Sequence, residues 1–178
     1  MKTNEPFREN RMASINALLI LLFLLTALIP KAQTPTNFSG KWEYDKAQSS
    51  SGTVESNYDG SVIRQITQNP TKITYGDIYI RPGSTEWKTS TVTYDLNGKE
   101  KITKHDVGTN KCIAKWSADK KVITITNTDT QSLKGVLQDF LVVDSFKLSE
   151  NGKTLTIERY SKNSVTGETK AKIVYHKK

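Results

Sequence analysis

The residues that could carry metal chemistry are few in this chain and lie far apart. Its only histidines are His105 and His176, and its only cysteine is Cys112. A zinc site needs three or four ligands at defined spacings. The one local group, His105 with Asp106 and Cys112 across a predicted hairpin, matches that pattern weakly. The sequence therefore predicts no metal site and no cofactor.

Cys112 does not have the surroundings of a catalytic nucleophile. In the predicted strand 111–117, Cys112, Ala114 and Trp116 share one face, whereas Lys111 and Lys115 lie on the other. A reactive thiol needs exposure and a nearby base or cation. The chain also lacks the Gly-x-Ser-x-Gly nucleophile motif. We predict that Cys112 is a small core residue, that no side chain is catalytic, and that the protein is not an enzyme.

The carboxylates divide into turn residues and one exception. Asp at a turn hydrogen-bonds to nearby backbone, which explains most of them. Asp144 instead shares one face of a predicted strand with Phe140, Val142, Phe146 and Leu148. Either it points inward and gives a cavity a polar anchor, or a bulge or register slip turns it outward. The predicted turn aspartates are Asp59, Asp77, Asp95, Asp119, Asp129 and Asp139.

The elements that must position these residues are β-strands. From Asn37 onward, apolar and polar residues alternate with period two, and β-branched and aromatic residues are frequent. Asn97-Gly98 and Asn151-Gly152 are hairpin signals, because both residues accept positive φ. The polar stretch 46–60 is predicted to be a long surface loop, and 129–137 a loop or a short helical turn. The predicted strands span 40–46, 61–69, 71–81, 87–96, 99–106, 111–117, 121–128, 138–148, 153–160 and 169–176.

Short turns between consecutive strands favour a single antiparallel up-and-down barrel of about eight to ten strands over a sandwich, which usually needs several long crossovers. Closing such a sheet on itself also removes exposed edges. The chain of 178 residues, with 35% hydrophobic and 25% charged residues, suits one folded domain. The sequence thus predicts an all-β fold with one inward-facing side-chain layer.

The N-terminal segment has the features of an export signal. A basic start at residues 2–11 precedes the apolar run 17–29, which is shorter than the roughly 20 residues of a membrane-spanning helix. We predict a cleavable signal peptide at 1–32 and a barrel domain at 33–178. The protein is then extracytoplasmic, either periplasmic or secreted. The alternative is that the segment is retained as a membrane anchor.

The charge of the chain is positive but scattered. Lys and Arg number 26 against 18 Asp and Glu, giving a formal charge of +8. Nucleic-acid binding needs clustered cations beside exposed aromatic residues, and the lysines here are spread over most strands and loops. We therefore predict no nucleic-acid partner and, as one alternative, association with anionic components of the cell envelope.

Two motifs resemble a known family. The segment Asn37-Phe-Ser-Gly-Lys-Trp-Glu-Tyr-Asp-Lys46 and the later Leu148-Ser-Glu-Asn-Gly-Lys-Thr-Leu-Thr-Ile-Glu-Arg159 are similar to segments of small exported bacterial lipocalin-like (calycin) proteins. The resemblance implies that Trp42 closes one end of the barrel and that Arg159 packs across it. An arginine stacked on an indole would add about 0.5–2 kcal/mol of stabilisation.

The predicted function is non-catalytic binding of a small apolar or amphipathic molecule in the barrel. The alternatives are a filled barrel that binds a macromolecular partner through its surface or loops, and an enzyme, since some calycin barrels are catalytic. The oligomeric state stays open. The residues predicted to line the ligand site are Trp42, Tyr94, Trp116, Phe140 and Phe146, and those predicted to close the barrel are Trp42 and Arg159.

Overall fold

The computed structural model describes residues 34–53, 55–58, 60–80, 83, 87–133 and 136–178. The predicted signal peptide at 1–32 lies outside these residues and stays a prediction. The described chain forms ten strands: β1 (Gly40–Tyr44), β2 (Ser61–Gln68), β3 (Lys72–Ile80), β4 (Trp87–Asp95), β5 (Lys101–His105), β6 (Gly108–Trp116), β7 (Val122–Leu133), β8 (Val136–Leu148), β9 (Thr154–Asn163) and β10 (Gly167–Lys177).

All ten strands belong to one antiparallel sheet in the order β4-β3-β2-β1-β10-β9-β8-β7-β6-β5. Every strand pairs with its neighbours in sequence except at β4–β5, and β1 also pairs with β10. The sheet curls strongly, because Tyr75 of β3 and Phe146 of β8 bring their rings to 5.5 Å although five positions of the sheet order separate their strands. The predicted all-β up-and-down barrel is confirmed.

The barrel has one unpaired seam. No hydrogen-bonded ladder joins β4 to β5 among the described residues, and β4 instead approaches β6 across the gap. All five residues of β5 are exposed, as expected of an edge strand. Pairing of the first strand with the last therefore closes most of the circumference, but the edges that full closure would remove are present at this seam.

The described residues of the segment 129–137 are strand, not a loop or a helical turn. Residues 129–133 end β7 and residues 136–137 begin β8, and Leu133 pairs with Val136. The Thr130 hydroxyl donates to the Asp139 carboxylate at 2.7 Å, and the Ser132 amide donates to the Val107 carbonyl at 2.8 Å. Polar residues that resemble a loop in sequence can thus continue a strand, because cross-strand partners satisfy their backbone.

The stretch 46–60 is only partly the surface loop that the sequence predicts. The Asp45 amide donates to the Val174 carbonyl and the Ser50 amide to the Lys172 carbonyl, both at 2.8 Å, which fastens its first half along β10. Further along, Glu55 is buried, with 3% of its side chain exposed. The chain between β1 and β2 therefore supplies an interior charge as well as a surface connection.

One end of the barrel is a packed apolar core. Phe38, just before β1, is fully buried against Trp116 at 6.0 Å and Phe146 at 6.4 Å between ring centroids. Its carbonyl accepts a hydrogen bond from the Trp42 indole nitrogen at 3.0 Å, which satisfies the polar atom of a fully buried side chain. None of the described residues forms a helix long and apolar enough to cross a membrane.

Candidate ligand-binding site

The strand register determines which side chains face the interior. Residues paired across neighbouring strands lie on the same face of the sheet. Trp42, which is in the core, pairs with Arg64, and Arg64 pairs with Asp77. On the other side of the barrel, Asp144 pairs with Arg159. The interior thus contains charged side chains from β2, β3, β8 and β9.

Of the predicted ligand residues, three lie in the apolar cluster, one borders a cavity and Phe140 belongs to neither. Trp42 and Phe146 are fully buried, and Trp116 packs with them in the apolar cluster. Tyr94 stacks on Tyr75 at 5.6 Å and borders a cavity, as described below. Phe140 is half-buried and pairs with Asn163 near the far end of β8. The structure therefore brings Trp42, Trp116 and Phe146 together as core residues and places Tyr94 at open space.

The predicted stack of Arg159 on Trp42 does not form. The cation above the Trp42 ring is Lys177, whose Nζ lies 5.5 Å from the ring centroid. Trp42 pairs with Lys177, whereas Arg159 pairs with Ala171 further along β10. Register therefore separates Arg159 from the closed end of the barrel. Its partner is Asp144, which resolves the alternatives for that residue in favour of the inward orientation, with 4% of Asp144 exposed.

Arg159 and Asp144 form a two-point ion pair. Arg159 Nε donates to Asp144 Oδ1 at 2.7 Å and Nη2 donates to Oδ2 at 2.8 Å. This fork geometry is the strongest common arrangement between a guanidinium and a carboxylate. The hydrogen bonds that Arg159 donates to Asp144, together with the negative charge of that carboxylate, raise the pKa of Arg159 above its ordinary value despite partial burial.

A second ion-pair cluster lies around Arg64, which has only 3% of its side chain exposed. Arg64 Nε donates to Asp77 Oδ1 at 2.6 Å and Nη2 to Asp77 Oδ2 at 2.5 Å. The same Nη2 also reaches Glu55 Oε1 at 3.3 Å. Asp77 was predicted as a turn residue, but it lies within β3 because Arg64 of the neighbouring strand neutralises it.

Aromatic rings enclose the Arg64 guanidinium. Its central carbon lies 5.0 Å from the Tyr75 ring centroid and 4.9 Å from that of Tyr175, distances typical of cation–π contacts. The Tyr175 hydroxyl donates to Glu55 Oε1 at 3.3 Å. Burial raises the pKa of both phenols well above the ordinary value, so they stay neutral hydrogen-bond donors near pH 7.

Among the described residues, two neighbouring cavities lie near these groups, and a separate one of about 490 Å³ borders Arg159 between β8, β9 and β10. The first, which we call the polar chamber, has a volume of about 230 Å³ and is lined by Glu55, Arg64, Tyr75, Gly76, Asp77, Tyr79, Val92 and Arg159. The second, the seam cavity, has a volume of about 540 Å³ and lies between β4, β5, β6 and β7. Val92 lines both, so the two spaces are neighbours. The seam cavity is lined by Val92, Thr93, Tyr94, Asp95, Asn97, Lys99, Glu100, Lys101, Thr103, Asn110, Cys112, Ala114 and Asn127.

Cys112 packs against the core cluster, as predicted, and also lines the seam cavity. It is half-buried, and burial raises the pKa of its thiol, an effect that the charge of Lys101 partly offsets. A thiol held protonated at neutral pH is a weak nucleophile and acts as a small apolar surface. Within the parts of the chain that the structure describes, no group of three His, Cys, Asp or Glu side chains could hold a metal ion.

The sequence prediction missed Arg64, Asp77 and Glu55. A signal was present for the first two. Arg64 is two residues from Val62 and from Ile66, and Asp77 is two residues from Tyr75 and from Tyr79. At that spacing each charged residue shares a strand face with apolar or aromatic residues. Glu55 lies in a polar segment without periodicity, and nothing in its neighbourhood along the chain predicts burial.

No protein-family model and no curated protein sequence matches the chain. Several solved structures are similar to it at low identity. Zebrafish ileal bile acid-binding protein, complexed with cholic acid, is 15% identical over 79% of this chain and 98% of its own, with a TM-score of 0.46. Secretory abundant heat soluble protein 4 from Ramazzottius varieornatus is 14% identical over 83% and 99%, with a TM-score of 0.47. A mutant REP1-NXSQ fatty acid transporter is 12% identical over 79% and 97%, with a TM-score of 0.44.

Proposed function

We propose that this protein is an exported, non-catalytic binding protein that holds a small amphipathic molecule inside the barrel. The observation that carries the proposal is the pair of neighbouring cavities on the inner face. The polar chamber is lined by buried charges, whereas the seam cavity, lined in part by Val92, Tyr94 and Ala114, offers apolar surface. Pockets for small ligands combine apolar walls with a few fixed polar groups in this way.

The volumes suit a division of the ligand between the two spaces. The seam cavity, at about 540 Å³, lies within the usual range of roughly 300–1,000 Å³ for small-molecule pockets. The polar chamber, at about 230 Å³, is large enough for a polar head group but not for a whole lipid-sized molecule. An amphipathic ligand would therefore place its apolar part in the seam cavity and its head group in the chamber.

The charged groups of the chamber support binding rather than catalysis. Arg64 and Arg159 each make two hydrogen bonds to one carboxylate, so both guanidinium groups are held in place. General acid–base catalysis instead uses a group that can release and accept a proton near the working pH. Export is proposed from the signal-like residues 1–32 of the sequence. It would be supported if the measured mass of the intact protein matched a chain that begins at Gln33.

The proposal is tested by filling the seam cavity. Cys112→Trp adds an indole inside it, and Lys111→Trp places the same indole one residue away, on an exposed position of the opposite face. With the uncharged fluorescent probe N-phenyl-1-naphthylamine, we expect Cys112→Trp to weaken binding at least about tenfold, the scale set by losing the burial of one or two methylene groups. Lys111→Trp should bind as the unmodified protein does. Equal affinity of all three proteins, with folding checked by circular dichroism, would contradict binding in the barrel.

A further inference from the structure

Each positive charge inside the barrel is paired with a carboxylate of the protein, and one further carboxylate leaves an excess of one negative charge. Glu55, Asp77 and Asp144 contribute three carboxylates, and Arg64 and Arg159 contribute two guanidinium groups. In both arginines, Nε and Nη2 are taken up by an internal carboxylate. The two fork sites that could recognise an acid group are therefore occupied by the protein's own residues.

An anionic ligand at either fork would have to displace one of these internal partners, and one that accepted from Arg64 Nη1 instead would lie beside the carboxylate of Glu55. If a carboxylate took the fork of Arg159, Asp144 would lose its partner while only 4% of it is exposed. A buried charge left without compensation is strongly unfavourable, and the new anion would raise the negative excess further. Lys99 and Lys101 line the seam cavity, but both are exposed and their ammonium groups are solvated, so they attract an acid weakly.

Two side chains that line the chamber instead carry one donor atom and one acceptor atom without a partner. Among the described residues, neither Arg64 Nη1 nor Glu55 Oε2 has a hydrogen-bond partner, and both side chains are 3% exposed. They belong to groups already in contact, since Arg64 Nη2 and Glu55 Oε1 are 3.3 Å apart. Buried polar atoms of this kind need a partner. A group that both accepts and donates would satisfy the two atoms together.

We propose that the polar chamber recognises an uncharged head group that both donates and accepts hydrogen bonds, a hydroxyl or a carboxamide, and that it discriminates against carboxylates. This specificity rests on the proposed function, because it assumes that the ligand enters the barrel. The head group would accept from Arg64 and donate to Glu55, and the attached hydrocarbon would extend past Val92 into the seam cavity.

Displacement of N-phenyl-1-naphthylamine from the unmodified protein tests this specificity with three compounds of one chain length: 1-octanol, methyl octanoate and octanoate. Apolar burial alone would favour the methyl ester, which accepts hydrogen bonds but cannot donate. We expect octanol to bind about fivefold or more tighter than the ester and at least about tenfold tighter than octanoate. An ester or octanoate that binds as tightly as octanol would overturn the inference.

A variant pair tests the role of the internal carboxylates. Asp144→Asn frees the fork of Arg159, so octanoate should bind at least about tenfold tighter than to the unmodified protein, while octanol changes little. The double variant Asp144→Asn/Arg159→Gln removes the freed cation and should return octanoate to its original affinity. No gain for octanoate in a folded Asp144→Asn protein would overturn the inference. Failure of the probe and all three compounds to bind the unmodified protein would overturn the proposed function as well.

Discussion

At the scale of single residues, the interior of this barrel depends on pairing. Arg159 was predicted to stack on Trp42, but its guanidinium is bound to Asp144 at 2.7 and 2.8 Å. A protein with a buried ion pair of this kind is little more stable than one in which two apolar residues replace the pair. Removing one member is costly, because the other is left charged and buried.

Removing the guanidinium of Arg159 should therefore destabilise the protein clearly. We expect Arg159→Met to lower the free energy of unfolding by about 3 kcal/mol at pH 7, since Asp144 is left without its partner. The double variant Arg159→Met/Asp144→Leu should recover most of this loss. Urea unfolding followed by tryptophan fluorescence measures both changes.

The matched control is the exposed ion pair of the same two strands. Lys147 Nζ and Glu158 Oε2 are 2.7 Å apart, with side chains 46% and 58% exposed. Lys147→Met should cost less than about 1 kcal/mol, because solvent screens that pair. A similar loss for Lys147→Met and Arg159→Met would mean that the interior pair has no special role.

The sequence identified Asp144 but not its environment. Its strand face, shared with Val142 and Phe146, left an inward position and an outward-turning bulge or register slip as alternatives. The partner could not be predicted, because pairing Asp144 with Arg159 depends on the register between β8 and β9. The burial of Glu55 could not be predicted from the neighbouring sequence, since it depends on how the chain between β1 and β2 folds over the barrel.

At the scale of elements, close approach between strands limits what some positions can hold. Gly108 begins β6 opposite β7, and a Cβ atom there would lie 1.9 Å from the Thr130 carbonyl oxygen. That distance is far below van der Waals contact, and the obstructing atom belongs to backbone. The hairpins β5–β6 and β6–β7 therefore meet at Gly108 only because it has no side chain.

Adding a single methyl group at this position should separate the strands. We expect Gly108→Ala to lower the free energy of unfolding by about 1–3 kcal/mol, the usual cost of overpacking. The control is Gly152→Asn, at a turn position with φ of +66° and no atom within 4 Å of an added Cβ, where Asn is readily accommodated. In thermal unfolding, Gly108→Ala should lower the melting temperature more than Gly152→Asn does. An equal decrease for the two variants would contradict the steric explanation.

Most strands could be predicted from the sequence because alternation and turn residues are local properties. The hairpin signal at Asn151-Gly152 and the apolar face of β9 agree with the structure. The 129–137 segment could not, because Thr130, Gln131 and Ser132 have the composition of a loop and become strand only through partners in β6 and β8. Strand ends depend on the neighbouring chain more than on their own residues.

At the scale of the whole molecule, the barrel is asymmetric in two directions. Along its axis, a packed apolar end around Phe38 and Trp42 gives way to the charged interior around Arg64. Around its circumference, β10 is paired on both sides, whereas β4 and β5 each have one partner. The sequence indicated the number of strands but not the seam, because an unpaired edge leaves no local signature in β4 or β5.

Amide hydrogen exchange should follow this circumferential asymmetry. We expect the amides of β5 to exchange at least about tenfold faster than those of β9 and β10 under native conditions, because edge strands open locally without unfolding the sheet. Exchange followed by mass spectrometry after pepsin digestion resolves these strands. Equal protection of β5 and β9 would indicate that β5 is covered by a partner.

The seam also determines how the circumference of the barrel can change. A fully laddered cylinder can widen only by breaking hydrogen bonds between strands or by adding a strand. Here the nine strand pairings form a continuous ribbon that ends at β4 and β5. Separating β4 from β6 at the seam breaks their contacts and the hydrogen bond from the Gly98 amide to the Ala114 carbonyl, but it leaves every strand ladder intact, so the space beside Val92 can change in size with its contents.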